Sequence, residues 1–470
     1  MSSSIASTSD RLPLRANSQL YWWLMLVAVF IGAFALRWYY VSTAVVIHPI
    51  RGDAVQYHAD AWNLVHHGVF SQTRPNSAVV KPDNYRDPGY PVLLAAWMRA
   101  LGDGSAWYAA VLMTQAFLGA LTAVLAMQIG SFWLTRKWAL TVGIAIALWP
   151  HCVTINDYLL TETLFGFLVA AGLLALAAAL RRETVLWFAG AGILFGMAAL
   201  TNAIYVPAGC VLALTLACVF RKQINKRHLF IFALCSLLLP AAWGARNSQL
   251  GDTTGSSDRA MQNLVQGAWP QYHSAYLAAI RGNPAAKATL HAIDDDTQFM
   301  LQDPAAGLHR LMQRMAMHPV RYLEWYLLRK PRVLWGWRIR IGQGDIYVYP
   351  TLNSPFETQP ILRAWTALCH VVNVWILLLG LVGLVVAFKK AWAAHARSAD
   401  QGSSVAVAAI AIYVTVVYCI FQTDPRYSIP FRSVEWLLAC TALAVAVPAV
   451  RSLLKRKREL AATSETAEEK

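Results

Sequence analysis

Long apolar runs recur along nearly the whole chain, and no soluble fold can absorb them. About ten read as membrane-spanning helices, which want roughly 20 apolar residues each: residues 20–46, 107–134, 138–151, 158–180, 186–200, 205–220, 229–245, 365–388, 405–421 and 434–450. Several are short and must borrow polar flanks or sit in pairs. Only 14% of the 470 residues are charged, against about 25% in soluble domains. The expected fold is an all-α polytopic membrane protein of about ten to twelve transmembrane helices, with interfacial helices in the first and the long extracytoplasmic loops.

Charge sets the orientation. Alternate connections carry Arg136-Lys137, Arg181-Arg182, Arg221-Lys222 with Lys226-Arg227, Lys389-Lys390 and Lys455-Arg456-Lys457-Arg458. The short connections on the other side, 156–157 and 201–204, carry neither Lys nor Arg. The positive-inside rule then places both termini in the cytoplasm and the loops 47–106 and 246–364 outside it. The net charge of +15 is what such topology requires and calls for no nucleic-acid partner. The first apolar run exceeds a signal-peptide core and lacks a small-residue cleavage site, so it reads as a retained anchor.

The expected organisation is a cytoplasmic N-terminal tail (1–19), a transmembrane core (20–245) holding the first loop (47–106), an extracytoplasmic helical segment (246–364), C-terminal transmembrane helices (365–450) and a basic, then disordered, cytoplasmic tail (451–470). Within 246–364, helical patterning appears at 271–280, 284–301 and 305–316. The aromatic and basic run 321–337 reads as an interfacial helix. Asp294-Asp295-Asp296 reads as solvated loop. The seven cysteines lie in or beside apolar runs without a C-x-x-C pair and read as small hydrophobes.

Chemistry concentrates where polar residues meet the ends of spans. Asp53 follows the first span. After it Ala54, Tyr57, His58, Ala61, Trp62 and Val65 fall on one helical face, with Gln56, Asp60, Asn63 and His67 mostly opposite. Asp53 fits two roles. It can cap that helix, with Gln56 three residues on as in a capping box, or it can serve as a general base, typically worth about 10²–10⁴ in rate. Glu162 lies about one turn inside an apolar run, and intramembrane carboxylates are functional candidates. Asp157 just before it is as readily a cap. Lys81, Tyr85, Arg86, Arg246-Asn247 and Arg426-Tyr427 fall on the same side. They serve either as contacts to lipid head groups or as a cationic site for phosphate.

No Walker loop, G-x-G-x-x-G or G-x-S-x-G element occurs, which removes ATPase, dinucleotide-binding and classical hydrolase readings. His58, His66, His67 and His151 lack metal-ligand spacing, so no metal site is assigned. A divalent cation is left open as a cofactor.

Taken in order, Asp53 with Tyr57, A-W-N-L-V-H-H-G, R-D-P-G-Y-P-V-L-L-A, L-L-T-E-T-L-F, W-G-A-R-N-S-Q-L-G and P-R-Y-S-I-P resemble the membrane-embedded GT-C glycosyltransferases. The resemblance is to the bacterial branch related to protein O-mannosyltransferases and to the aminoarabinose transferase of lipid A. It implies sugar transfer from a polyprenyl-phosphate donor to an extracytoplasmic glycan, lipid or protein, in a bacterial inner membrane. Residue by residue it implies Asp53 and Glu162 as catalytic acids and Lys81, Arg86, Arg246 and Arg426 as phosphate contacts. Tyr57, Tyr85, Asp157, Asn247 and Tyr427 are the substrate-contact candidates beside them. Where the family often has Thr-Arg, this chain has Thr201-Asn202. The competing reading is a transporter or flippase of lipid-linked saccharides. Such proteins place polar or broken helices near the bilayer midplane, whereas here the polar residues gather at one face.

Overall fold

The computed structural model describes residues 12–221, 223–251, 255–393 and 399–468. Residues 1–11 of the expected N-terminal tail, Lys222 of the third basic connection and residues 469–470 lie outside them. The helices are α1 (Leu12–Thr43), α2 (Asp53–His67), α3 (Gly89–Leu101), α4 (Ser105–Gly130), α5 (Arg136–Leu148), α6 (Pro150–Thr154), α7 (Glu162–Arg182), α8 (Val185–Thr201), α9 (Ala208–Val219) and α10 (Lys226–Asn247). There follow α11 (Ser256–Gly267), α12 (Tyr272–Ile280), α13 (Pro284–Gln302), α14 (Pro304–Met317), α15 (Pro319–Glu324), α16 (Lys330–Leu334), α17 (Pro355–Thr358), α18 (Pro360–Ala393), α19 (Ala399–Ile420) and α20 (Arg432–Glu468).

Seven of the described helices are long and apolar enough to cross a membrane, or eight if the bent pair α5–α6 is one span. That pair bends by 58° at Trp149-Pro150, where proline disfavours a helical residue before it. The shorter apolar helices, Val185–Thr201 and Ala203–Val219, pack beside them. Close approach relies on Gly192, where a Cβ would stand 2.5 Å from the Phe232 carbonyl of α10. Small residues at such crossings let helices meet in lipid.

The first loop is tied to the long one. Val45–Val46 pairs antiparallel with Thr351–Leu352, and Tyr349 Oη donates to the Arg51 carbonyl at 3.0 Å. Helices α2 and α3 share a small core that includes Tyr57, Tyr90, Leu94 and Trp107. Helices α11, α13 and α14 close around Val265, Ile293, Met300 and Leu311.

Three expectations are corrected. Asp294-Asp295-Asp296 is not loop but part of α13, and buried Asp296 accepts from Trp269 and pairs with Arg310 and Arg314. One face of that helix is inward, so a run of acids need not be solvated throughout. The 321–337 stretch is helical only as far as Leu334, where α15, a π turn at Trp325–Arg329 and α16 run on without a break, with Val320, Leu323, Leu327 and Leu328 exposed. At the far end the helix continues to Glu468, where a disordered tail is expected. Its Leu, Lys, Arg, Glu and Ala are strong helix formers.

Candidate active site

Asp53 opens α2, but it does not cap it. The cap position is Gly52, in the left-handed region at φ 54°, without a side-chain cap. A Cβ there would stand 3.0 Å from Tyr349 Oη, so the turn requires glycine twice over. The Asp53 carboxylate is left to face two arginines. Arg86 Nη2 donates to Oδ1 at 2.6 Å and Arg426 Nη2 to Oδ2 at 2.8 Å. Gln56, the other half of the expected capping box, accepts from Arg86 Nε at 2.6 Å, and Arg86 Nη1 donates to Tyr57 Oη at 3.3 Å. The pattern S/T/D-x-x-Q that reads as a cap serves here to fix a guanidinium.

Arg426 carries the network into the spans. It is the second residue of the turn Pro425–Phe431, where Asp424 accepts from its backbone N–H at 2.9 Å. Its Nε donates to Glu162 Oε1, at the first residue of α7. Glu162 is buried, and its Oε2 has no partner among the described side chains. Arg426 thus bridges two carboxylates, and Arg86 closes the array. Burial pushes the Asp53 carboxyl up, but Arg86 and then Arg426 outweigh that and hold it well below the usual carboxylate range. Burial raises the Tyr57 phenol to about 12.

Asp53, Tyr57, Arg86, Glu162 and Arg426 line a cavity of about 590 Å³, together with Tyr85, Asp87, Asn202, Arg259, Tyr418 and Tyr427. This is the size of a small-molecule site. Tyr418 and Tyr427 stack with ring centroids 5.1 Å apart, and Asn202 Nδ2 donates to Tyr418 Oη at 3.4 Å. Asp87 accepts from Arg259 Nη2 at 2.8 Å and from the Ala203 backbone N–H at 3.1 Å. It thereby staples the first loop to the 201–205 turn and to α11. Among the described residues no group of three or more His, Cys, Asp or Glu side chains is arranged to hold a metal ion.

No family model and no curated protein matches the sequence. Solved structures do match its fold. The oligosaccharyltransferase AglB from Archaeoglobus fulgidus, in complex with an inhibitory peptide and a dolichol-phosphate, aligns with a TM-score of 0.51 at 13% identity, over 94% of this chain and 52% of that one. An Archaeoglobus fulgidus oligosaccharyltransferase tethered with an acceptor peptide aligns with a TM-score of 0.52 at 14% identity, over 92% and 50%. The chain therefore shares the fold of these oligosaccharyltransferase structures. ArnT from Cupriavidus metallidurans, bound to undecaprenyl phosphate, is also similar, with a TM-score of 0.48 at 13% identity over 90% of this chain and 60% of that one. This chain therefore spans half to three-fifths of the length of these proteins.

Within this fold the expected site residues divide. Asp53, Tyr57, Tyr85, Arg86, Glu162, Arg426 and Tyr427 line one cavity. Lys81 is exposed and outside the lining. Arg246 faces the first loop instead: its Nη1 donates to the Asp83 carbonyl at 2.6 Å and to Asn247 Oδ1 at 3.1 Å. Asn247 is thus taken up by its neighbour. Asp157 is buried at the end of the bent α5–α6 pair, away from the cavity wall. Asp87, Arg259 and the rest of α11 were not legible beforehand. The sequence signals for them are the Asp in R-D-P-G-Y-P and the polar start S-S-D-R of α11.

Proposed function

We propose that this chain is an integral-membrane glycosyltransferase moving a sugar from a polyprenyl-phosphate donor to an extracytoplasmic acceptor. Lipid A or lipopolysaccharide, a cell-envelope glycan and a protein are the acceptor classes. The observation that carries the reading is one carboxylate, Asp53, shared by two guanidiniums on the wall of a cavity within a GT-C fold. AglB, of the same fold, is solved with a dolichol-phosphate, which supports a lipid phosphate as the donor.

Arg86 and Arg426 offer forked donors suited to phosphate oxygens. With the donor bound, its phosphate takes over part of their hydrogen bonding, and Asp53 is released toward the acceptor. The acceptor hydroxyl attacks the anomeric carbon and its proton passes to Asp53. The bond from that carbon to the phosphate oxygen breaks, and polyprenyl phosphate leaves with the electron pair, inverting the centre. Preorganised cations stabilise the charge that gathers on the leaving group. Glu162 keeps Arg426 in place.

Counting Val185–Thr201, Ala203–Val219 and the bent pair with the seven long helices gives ten spans. Both termini then lie in the cytoplasm and the site faces the periplasm of a bacterial inner membrane. The test is label transfer from a polyprenyl-phosphate sugar by the purified full chain. Transfer by wild type and its loss in Asp53→Asn are expected. Full activity in the variant removes Asp53 from the chemistry.

A further inference from the structure

The cavity has two chemically different ends. At one, Asp53, Arg86, Glu162 and Arg426 form the charged network. The other is built on α11, where Arg259, Gln262, Asn263 and Gln266 all line the cavity. Their spacing of three, four and seven residues puts them on one face of the helix. Val265 and Ala268 point the opposite way, into the core shared with α13 and α14. The orientation of α11 is therefore fixed by packing, and its polar stripe is held toward the cavity. Arg259 is already neutralised by Asp87, and Asn263 Nδ2 donates to the Arg259 carbonyl at 2.9 Å, which leaves the amides of Gln262 and Gln266 and the Asn263 Oδ1 as the binding groups of this wall.

Other uncharged groups join them. Tyr418 and Tyr427 present a stacked aromatic pair, and Gln422 lines the cavity while accepting from Tyr427 Oη at 3.2 Å. Tyr85 Oη reaches Gln262 Oε1 only at 3.5 Å, a contact too long to hold that amide against a ligand. Amides donate and accept at once, as hydroxyls do, and aromatic rings cover the apolar face of a sugar ring. An ammonium would need a carboxylate to itself. Of the acids lining the cavity, Asp53 and Glu162 belong to the charged end and Asp87 is paired with Arg259, so the α11 wall offers no carboxylate of its own.

We propose that the Gln262–Asn263–Gln266 face of α11 and the Tyr418–Tyr427 pair form the subsite for an uncharged, polyhydroxylated sugar ring. This rests on the proposed transferase reading and narrows its substrate to neutral sugars rather than amino sugars. The ring belongs either to the donor or to the acceptor, and the experiment separates the two.

The full-length protein in detergent is titrated with undecaprenyl phosphate, with undecaprenyl-phosphate hexose, and with undecaprenyl phosphate carrying an amino sugar. Methyl hexosides are titrated in the presence of the bare lipid phosphate. Gln262→Leu with Gln266→Leu is compared with wild type, and Asn263→Leu serves as a milder single change should the double variant fail to fold. If the subsite holds the donor's sugar, wild type prefers the hexose-bearing lipid to the bare phosphate by about ten-fold or more, and the variants lose most of that margin, as a pair of lost hydrogen bonds dictates. If it holds the acceptor's sugar, the variants weaken the methyl hexosides and leave the lipid series unchanged. Equal behaviour of wild type and variants in both arms, or a preference for the amino sugar, overturns the subsite. Because binding is read without turnover, a protein that transfers nothing while still discriminating sugars overturns the transferase reading and spares the subsite.

Discussion

Asp53 Oδ2 lies 2.8 Å from the guanidinium of Arg426, 373 positions further along the chain. Arg426 also holds buried Glu162, so removing it strands Glu162 and leaves Asp53 with Arg86 alone. Breaking one side of a buried ion pair costs about 3–5 kcal/mol. Arg426→Ala is expected to lower the unfolding temperature by several degrees and to raise the donor KM. Arg426→Lys recovers only part of either, since one ammonium cannot fork between two acids. Thermal unfolding in detergent, followed beside donor KM, checks both. Unchanged stability in the Ala variant would contradict the network.

Asp53→Asn separates chemistry from binding. The amide cannot take a proton from the acceptor, so kcat is expected to fall by about 10²–10⁴, the range of a general base. Arg86 and Arg426 are then no longer neutralised by Asp53 and meet the donor phosphate without competition. The donor KM should therefore hold or fall while kcat collapses. Steady-state transfer kinetics read the split, and a variant with raised KM and normal kcat would make Asp53 a binding residue only.

Much of this network was legible in the sequence because a charge beside a long apolar run is conspicuous. Asp53, Glu162, Arg86 and Arg426 stand out for the cost of placing them there. Spacing along the chain cannot say where a long side chain points. Arg246 in A-A-W-G-A-R-N and Arg426 in D-P-R-Y look alike as span-end arginines, yet one grips loop carbonyls and the other the carboxylates. Asp53 with Gln56 fits a capping box at the level of spacing, and only the turn at Gly52 frees both for Arg86. Helix α11 was missed because its inward face is polar. A stripe of amides on a cavity wall has the composition of a loop, and its ion-pair partner Asp87 lies 172 positions from Arg259.

Arg246 is expected to matter for the loop and not for the donor. It holds the Asp83 carbonyl at 2.6 Å and stacks over Trp243, 4.8 Å from the ring centroid. Arg246→Ala should cost about 1–3 kcal/mol, the range for leaving a backbone acceptor unsatisfied, and leave the donor KM within about two-fold. Paired measurement of unfolding temperature and KM decides it. A large KM increase at unchanged stability would return Arg246 to the phosphate site.

Asp60 gives the protein a pH-dependent stability. It lies fully buried on α2, and neither carboxylate oxygen has a hydrogen-bond partner among the described residues. Burial first, then the neighbouring charge of Asp83, raises its pKa to about 8, against smaller opposing effects of Arg86, Arg246 and Arg259. The folded state therefore keeps a proton that the unfolded chain has released above its ordinary value of 3.8. Stability is greatest below that value and is lost as pH rises toward 8, on the order of 1 kcal/mol per pH unit. Above pH 8 the loss is complete and the dependence on this group ends. Asp60→Asn is neutral throughout and removes the dependence. The unfolding temperature of the variant should draw away from that of wild type between pH 6 and pH 8, then run parallel to it. Curves that stay parallel across that interval would mean that Asp60 is already ionised in the folded protein, with a cation or water that neutralises it.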